Sequence, residues 1–142
     1  MNSRLNMLLR EKNGMAYNVE STYTSYSDAG LWVVYFGTDE KNREKCTQLV
    51  MSELKKMREQ QMTTLQIDRY KKQLMGQMAI MQENRENLVL SLAKSFLYFN
   101  KFETLESVSK QLDALTPQIL QEVSREVFDE KCISSLVYAC KA

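Results

Sequence analysis

The chain has 142 residues, 44% hydrophobic and 26% charged, with a net charge of +1, four glycines, one proline, three cysteines and no histidine. That is the composition of a globular domain able to bury roughly two-thirds of its unfolded surface, not of a disordered or fibrous chain. The near-neutral balance gives no pull toward nucleic acid or anionic membrane. No apolar run reaches the roughly 20 residues of a membrane span. The missing histidine removes Ser-His-Asp and Cys-His catalysis and every His-containing zinc site.

The opening residues 1–12 (MNSRLNMLLREK) lack the long apolar stretch of a signal peptide. Leu5, Leu8 and Leu9 fall at helical spacing over 2–12, with Ser3 as the cap, and Asn13-Gly14 ends that helix because glycine tolerates a left-handed cap. Residues 15–26 (MAYNVESTYTSY) read as a strand with Tyr17, Val19 and Tyr23 on one face. Ser27-Asp28-Ala29-Gly30 reads as a hairpin turn. Residues 31–37 (LWVVYFG) are apolar on both faces, which predicts a central strand covered on both sides.

Thr38-Asp39 caps a predicted helix over 40–60 whose buried stripe is Cys46, Leu49, Val50, Leu54 and Met57. A second long helix over 64–82 carries Ile67, Tyr70, Leu74, Met78 and Met81, and a third over 84–99 turns Leu88, Leu92, Ala93 and Phe96 inward. Residues 100–103 break the pattern. Thr104 caps a short helix, and Thr116-Pro117 opens another, proline being harmless in the first turn. That last helix carries Leu120, Val123 and Val127. Residues 132–140 (CISSLVYAC) read as a closing strand. Along such a strand Cys132 and Cys140 lie about 26 Å apart, beyond the about 7 Å a disulfide allows. Cys46, Cys132 and Cys140 are therefore expected as reduced, mostly buried thiols, which leans toward a reducing compartment such as the cytoplasm without fixing one. Three strands beside about five helices predict an α+β layer. Three strands make a thin sheet, so further strands upstream are expected.

Few residues offer chemistry. Glu83/Glu86 and Glu122/Glu126 lie at helical spacings beside Arg85 and Arg125 and fit a solvated, salt-bridged face. The short basic run Arg69-Tyr70-Lys71-Lys72 also fits a wet face, and Met75, Met78 and Met81 fit core filler or an adaptable partner groove. The segment 9–17 (LREKNGMAY) is different. Arg10 near a helix end and Tyr17 at a strand start flank a tight glycine turn and can converge. A forked guanidinium and a phenol donor could together hold a peptide carbonyl or the oxyanion it becomes. The same residues also suit ordinary roles, Arg10 facing the helix C-terminal dipole and Tyr17 packing in the strand.

Residues 1–21 (MNSRLNMLLREKNGMAYNVES), 27–46 (SDAGLWVVYFGTDEKNREKC) and 99–128 (FNKFETLESVSKQLDALTPQILQEVSREVF) resemble, in order, three stretches of the pitrilysin or insulinase family of zinc metallopeptidases. The resemblance covers nearly the whole chain. It implies a two-layer α+β half-domain of the clam type, helices packed on a mostly antiparallel mixed sheet. Residues 1–142 would be a single partial domain, the C-terminal part of the half without zinc, with the N-terminal strands missing. Family members carry an inverted His-x-x-Glu-His zinc motif in one half, and the other half supplies an arginine and a tyrosine beside the scissile carbonyl. Those positions match Arg10 and Tyr17.

The resemblance therefore implies part of a zinc-dependent endopeptidase. Zinc would be present in the complete enzyme and none bound by this chain. The partners would be a peptide substrate and a zinc-bearing half-domain on the same or another polypeptide, with no nucleic acid and no membrane span. The isolated chain is expected to be inactive and to self-associate through an exposed sheet edge. Two alternatives stand beside it. One is a non-catalytic partner or structural chain of the same fold, binding peptides or a partner subunit. The other is an unrelated helical interaction domain, which negligible strand content would favour.

Overall fold

The computed structural model describes residues 3–102 and 104–139. They fall into two compact units, one formed by residues up to Gln60 with those from Glu122 on, the other by Gln61–Gln121.

In the first unit, α1 (Arg4–Asn6) runs into a π-helical segment (Met7–Lys12). The oxygen of Ser3 accepts from the Asn6 amide, so the expected cap is present. Strand β1 (Ala16–Ser25) pairs antiparallel with β2 (Gly30–Thr38), and the Tyr26 amide bonds to the Ala29 carbonyl across the turn. Helix α2 (Glu40–Glu59) follows. The core is Leu5, Leu9, Ala16, Val19, Cys46, Val50, Leu54 and Phe128, with Trp32, Val34 and Phe36 packed against it. Every second residue of β2 therefore meets the core, as the pleat requires. The expected stripe of α2 is present, joined by a buried glutamate, Glu53, that hydrophobic patterning does not show. The Arg4 guanidinium reaches Glu53 at 2.5 Å, and Lys56 lies 3.7 Å away.

The second unit contains α3 (Thr64–Glu83), α4 (Arg85–Phe99), α5 (Leu105–Asp113) and the first residues of α6 (Pro117–Val127). Side chains open these helices as their sequences suggest. Thr63 and Gln66 form a capping box, and Asn84, Thr104 and Thr116 each accept a first-turn amide. Lys71 donates to the carbonyls of Asp113 and Leu115 at 3.0 and 2.9 Å. Part of the basic run thus holds the C-terminal end of α5, where a cation suits unpaired carbonyls.

The α+β expectation holds, with four corrections. First, the expected closing strand over 132–140 does not form across its described residues, 132–139. Glu130–Cys132 is a 3-10 turn, Ile133 packs against the core, and no ladder forms over 133–139. The β-prone residues there satisfy local preference, but a strand also needs a partner for its amides and carbonyls. Second, β2 is not covered on both sides, because Leu31, Val33 and Tyr35 are exposed. The described sheet has two strands, and its unit supplies apolar partners to one face only. Third, Cys132 is exposed in its turn, whereas Cys46 is fully buried; Cys140 lies outside the described residues. Fourth, the inward register of the later helices fails in part. Met81, Ala93, Phe96, Val123 and Val127 are exposed, and Ile67 is the only buried side chain among the described residues of the second unit. At the end of α6 the buried positions are Ser124 and Phe128, because Phe128 packs on Trp32 with ring centroids 4.5 Å apart. Glu83, Glu86, Glu122 and Glu126 are all exposed, and Arg125 donates to the Arg58 carbonyl.

Candidate functional site

Three local irregularities present Arg10 and Tyr17. The first is the π-helical turn. The Gly14 amide bonds to the Arg10 carbonyl at 2.9 Å and the Met15 amide to the Leu9 carbonyl at 3.0 Å. Each bond spans one residue more than in an ordinary Schellman ending, as a widened turn demands. Asn13 adds a side-chain bond to the Leu8 carbonyl at 2.7 Å. Leu9 stays fully buried while Arg10, the next residue, faces solvent with 49% of its side chain exposed.

The second irregularity is Gly14 itself, with φ of +58°, a left-handed conformation that lets the chain reverse from helix to strand. The third is a β-bulge. Ala16 pairs with Thr38 and Asn18 with Gly37, so Tyr17 is an extra residue opposite no partner. The bulge breaks the two-residue alternation. Ala16 and Val19, three apart, both enter the core, and Tyr17 is 71% exposed. The expectation that Tyr17 shares a face with Val19 is therefore corrected. A strict pleat puts Tyr17 against the core; the bulge turns it out.

Thr38 fixes this corner from the other strand. Its hydroxyl donates to the Met15 carbonyl at 2.5 Å and lies 3.6 Å from the Cys46 sulfur. The Tyr17 hydroxyl donates to Asp39 Oδ1 at 3.1 Å. That hydrogen bond, with the negative charge of Asp39, raises the Tyr17 pKa above its ordinary 10.0. The phenol therefore stays protonated, and a donor, past the usual tyrosine range. Arg10 lies 3.9 Å from Glu11, a loose surface pair that leaves most of its donors to solvent. Arg10 and Tyr17 make no hydrogen bond to each other. What the structure brings together is Tyr17 with Asp39, beside Thr38. Sequence reading assigned Asp39 only to helix capping and missed this pairing. A phenol near a strand start and a carboxylate just after its antiparallel partner were the available signal.

The donors here suit a carbonyl, carboxylate or developing oxyanion of a bound molecule. They do not suit zinc. The chain has no histidine, and among the described residues no group of three or more metal-ligating side chains gathers.

Comparison with known proteins identifies the family of this chain. The sequence model of the Peptidase M16 inactive domain matches residues 1–74, the part that holds Arg10, Tyr17 and Asp39. Over 137 residues the chain is 26% identical to a Bacillus subtilis protein named as an uncharacterized zinc protease, YmxG, covering 96% of this chain and 34% of that protein. It is 25% identical over 116 residues to the beta subunit of the mitochondrial processing peptidase of Saccharomyces cerevisiae, covering 80% of this chain and 25% of that subunit. Among solved structures, a conserved protein from Enterococcus faecalis superposes with a TM-score of 0.70 at 28% identity, over 87% of this chain and 28% of that one. The chain thus spans about a third or less of the length of these relatives.

Proposed function

Because this chain belongs to the peptidase M16, pitrilysin-type family and forms part of its C-terminal half-domain, we propose that it supplies the substrate-holding side of a zinc peptidase active site. Arg10 and Tyr17 are the contacts. The observation that carries this reading is the bulge. It leaves a tyrosine 71% exposed, beyond a glycine turn from an exposed arginine, where ordinary strand packing would have buried it. Bulges of this kind re-aim side chains beside active sites.

In this reading the Arg10 fork and the Tyr17 hydroxyl donate to a peptide carbonyl and hold the charge that grows on it. The names of relatives such as YmxG support zinc in the complete enzyme, and in this reading another half carries that metal. The partners would be a peptide and that half. Removing one such donor typically costs about 10²–10³ in rate. In the assembled protein, Arg10→Ala and Tyr17→Phe should each lower peptide turnover on that scale with unchanged circular dichroism. Wild-type turnover in both would overturn the assignment.

A second reading, a non-catalytic partner chain of the same fold, draws on two observations. The yeast relative is a subunit by name, and apolar side chains such as Leu97, Tyr98 and Phe99 are exposed on α4. An assembly that stays intact but never cleaves peptides would favour it.

A further inference from the structure

This inference rests on the reading of Tyr17 as a substrate contact and asks what governs its hydroxyl. Asp39 occupies the N-cap position of α2 with the extended backbone such a residue needs, φ −67° and ψ 150°, yet its side chain makes no capping bond. Six other capping residues behave differently. Ser3, Thr63, Asn84, Thr104, Thr116 and Asp129 each accept a nearby first-turn amide. Aspartate is among the best N-caps. Its carboxylate instead accepts from the Tyr17 hydroxyl, 22 positions earlier in the chain.

We propose that Asp39 is the positioning residue for Tyr17: its carboxylate holds the phenol hydroxyl while the site is empty, and swings to cap α2 when that hydroxyl turns to a peptide carbonyl. Three features support the exchange. A phenol has a single O–H, so it cannot donate to Asp39 and to a substrate oxygen at once. The released carboxylate is not stranded, because the first-turn amides of α2 lie within its own capping reach and the helix dipole favours a negative charge there. Moving that charge off the phenol also removes a repulsion from the oxyanion the phenol would stabilise. The corner itself stays rigid, since the Ala16–Thr38 pairing and the Thr38–Met15 bond fix the two backbones.

The test uses the full-length protein with its zinc-bearing half, a fluorogenic peptide, and Tyr17→Phe, Asp39→Ala, Asp39→Asn and the Tyr17→Phe/Asp39→Ala double variant. Because a phenol no longer held in the empty site must be ordered as substrate binds, Asp39→Ala should lower kcat/KM about tenfold on its own and cause no further loss in the Tyr17→Phe background, the non-additivity of groups that act as one. Asp39→Asn keeps an oxygen that can accept from the phenol and cap the helix, and should retain most activity. Nuclear magnetic resonance of ¹³Cζ-labelled tyrosine gives a readout independent of turnover. The Tyr17 signal should titrate at lower pH in Asp39→Asn than in wild type, since the charge that disfavours phenolate is gone.

Additive losses, or an unmoved Tyr17 titration, with Tyr17→Phe still impaired would overturn the positioning role and leave the substrate reading standing. Wild-type turnover in Tyr17→Phe would overturn the substrate reading and the positioning role with it. The titration would then report only a structural clip.

Discussion

Glu53 is the charged exception in the buried stripe of α2. Its side chain is 9% exposed, against 33% for its partner Arg4. This asymmetry decides which partner is worse to lose. Arg4→Ala leaves a buried carboxylate with only Lys56 at 3.7 Å, whereas Glu53→Gln leaves an amide that can still accept from an arginine partly in water. Breaking a buried pair costs about 3–5 kcal/mol, and the partial exposure of Arg4 reduces that. Arg4→Ala should destabilise by about 2–4 kcal/mol and Glu53→Gln by about half as much, measured by urea unfolding. Equal losses would mean that the burial difference is immaterial. Cysteine reactivity follows the same logic of access. Cys132 is exposed and Cys46 fully buried behind Thr38 and Met15. A thiol reagent followed by peptide mass mapping should label Cys132 in the native protein and reach Cys46 only on unfolding. Native labelling of Cys46 at the rate of Cys132 would refute this.

The corner that presents Arg10 and Tyr17 depends on how one element ends and the next begins. A π-helical turn, a left-handed glycine and a bulge follow one another within residues 7–18. Each departs from regular geometry, and such departures persist where the surrounding structure over-determines them. Here the buried Leu9 and Ala16 hold both sides of the turn, and Thr38 ties its exit to β2. Gly14 is the sensitive position. A Cβ there would touch nothing within 4 Å, so substitution has no steric component. Its cost is the left-handed conformation, about 1–2 kcal/mol. Gly14→Ala should lower the unfolding free energy by that much, seen as a lower urea midpoint with an unchanged slope. If Arg10 and Tyr17 hold substrate as proposed, it should also reduce peptide turnover in the assembled protein, because the turn sets the relation of the two residues. A stability like that of wild type would show that the turn relaxes elsewhere.

At the scale of the whole molecule, apolar surface exceeds what the described residues cover. The outer face of the hairpin exposes Leu31, Val33 and Tyr35, and α4 exposes Val89, Leu97, Tyr98 and Phe99. A two-stranded sheet is marginal alone, and unpaired edges and contiguous apolar patches favour association. The isolated chain should therefore show a sedimentation mass that rises with concentration. A charge on the hairpin's outer face, Val33→Lys, or on α4, Leu97→Lys, should reduce that rise according to which surface is responsible. A monomer at every concentration would remove this basis for a partner. No helix among the described residues is long and apolar enough to cross a membrane.

How much of this was legible beforehand depended on whether the signal was local. The caps at Ser3, Thr104 and Thr116, the glycine stop, the hairpin turn, the apolar stripe of α2 and the proline start of α6 follow from short-range chemistry, and the structure repeats them. The family was likewise readable, because the order of motifs along the chain survives at low identity. The sequence by itself therefore determined the family, the α+β class and the absence of a histidine zinc site. Tertiary structure decided the rest. It left residues 133–139 without a ladder, exposed one face of β2, turned Tyr17 out of the core through a bulge and redirected Asp39 from its helix to Tyr17. Each of these depends on which partner arrives from elsewhere in the chain. Periodicity records the preference of a residue for a face, but a ladder, a bulge or a shared carboxylate exists only once two distant segments meet.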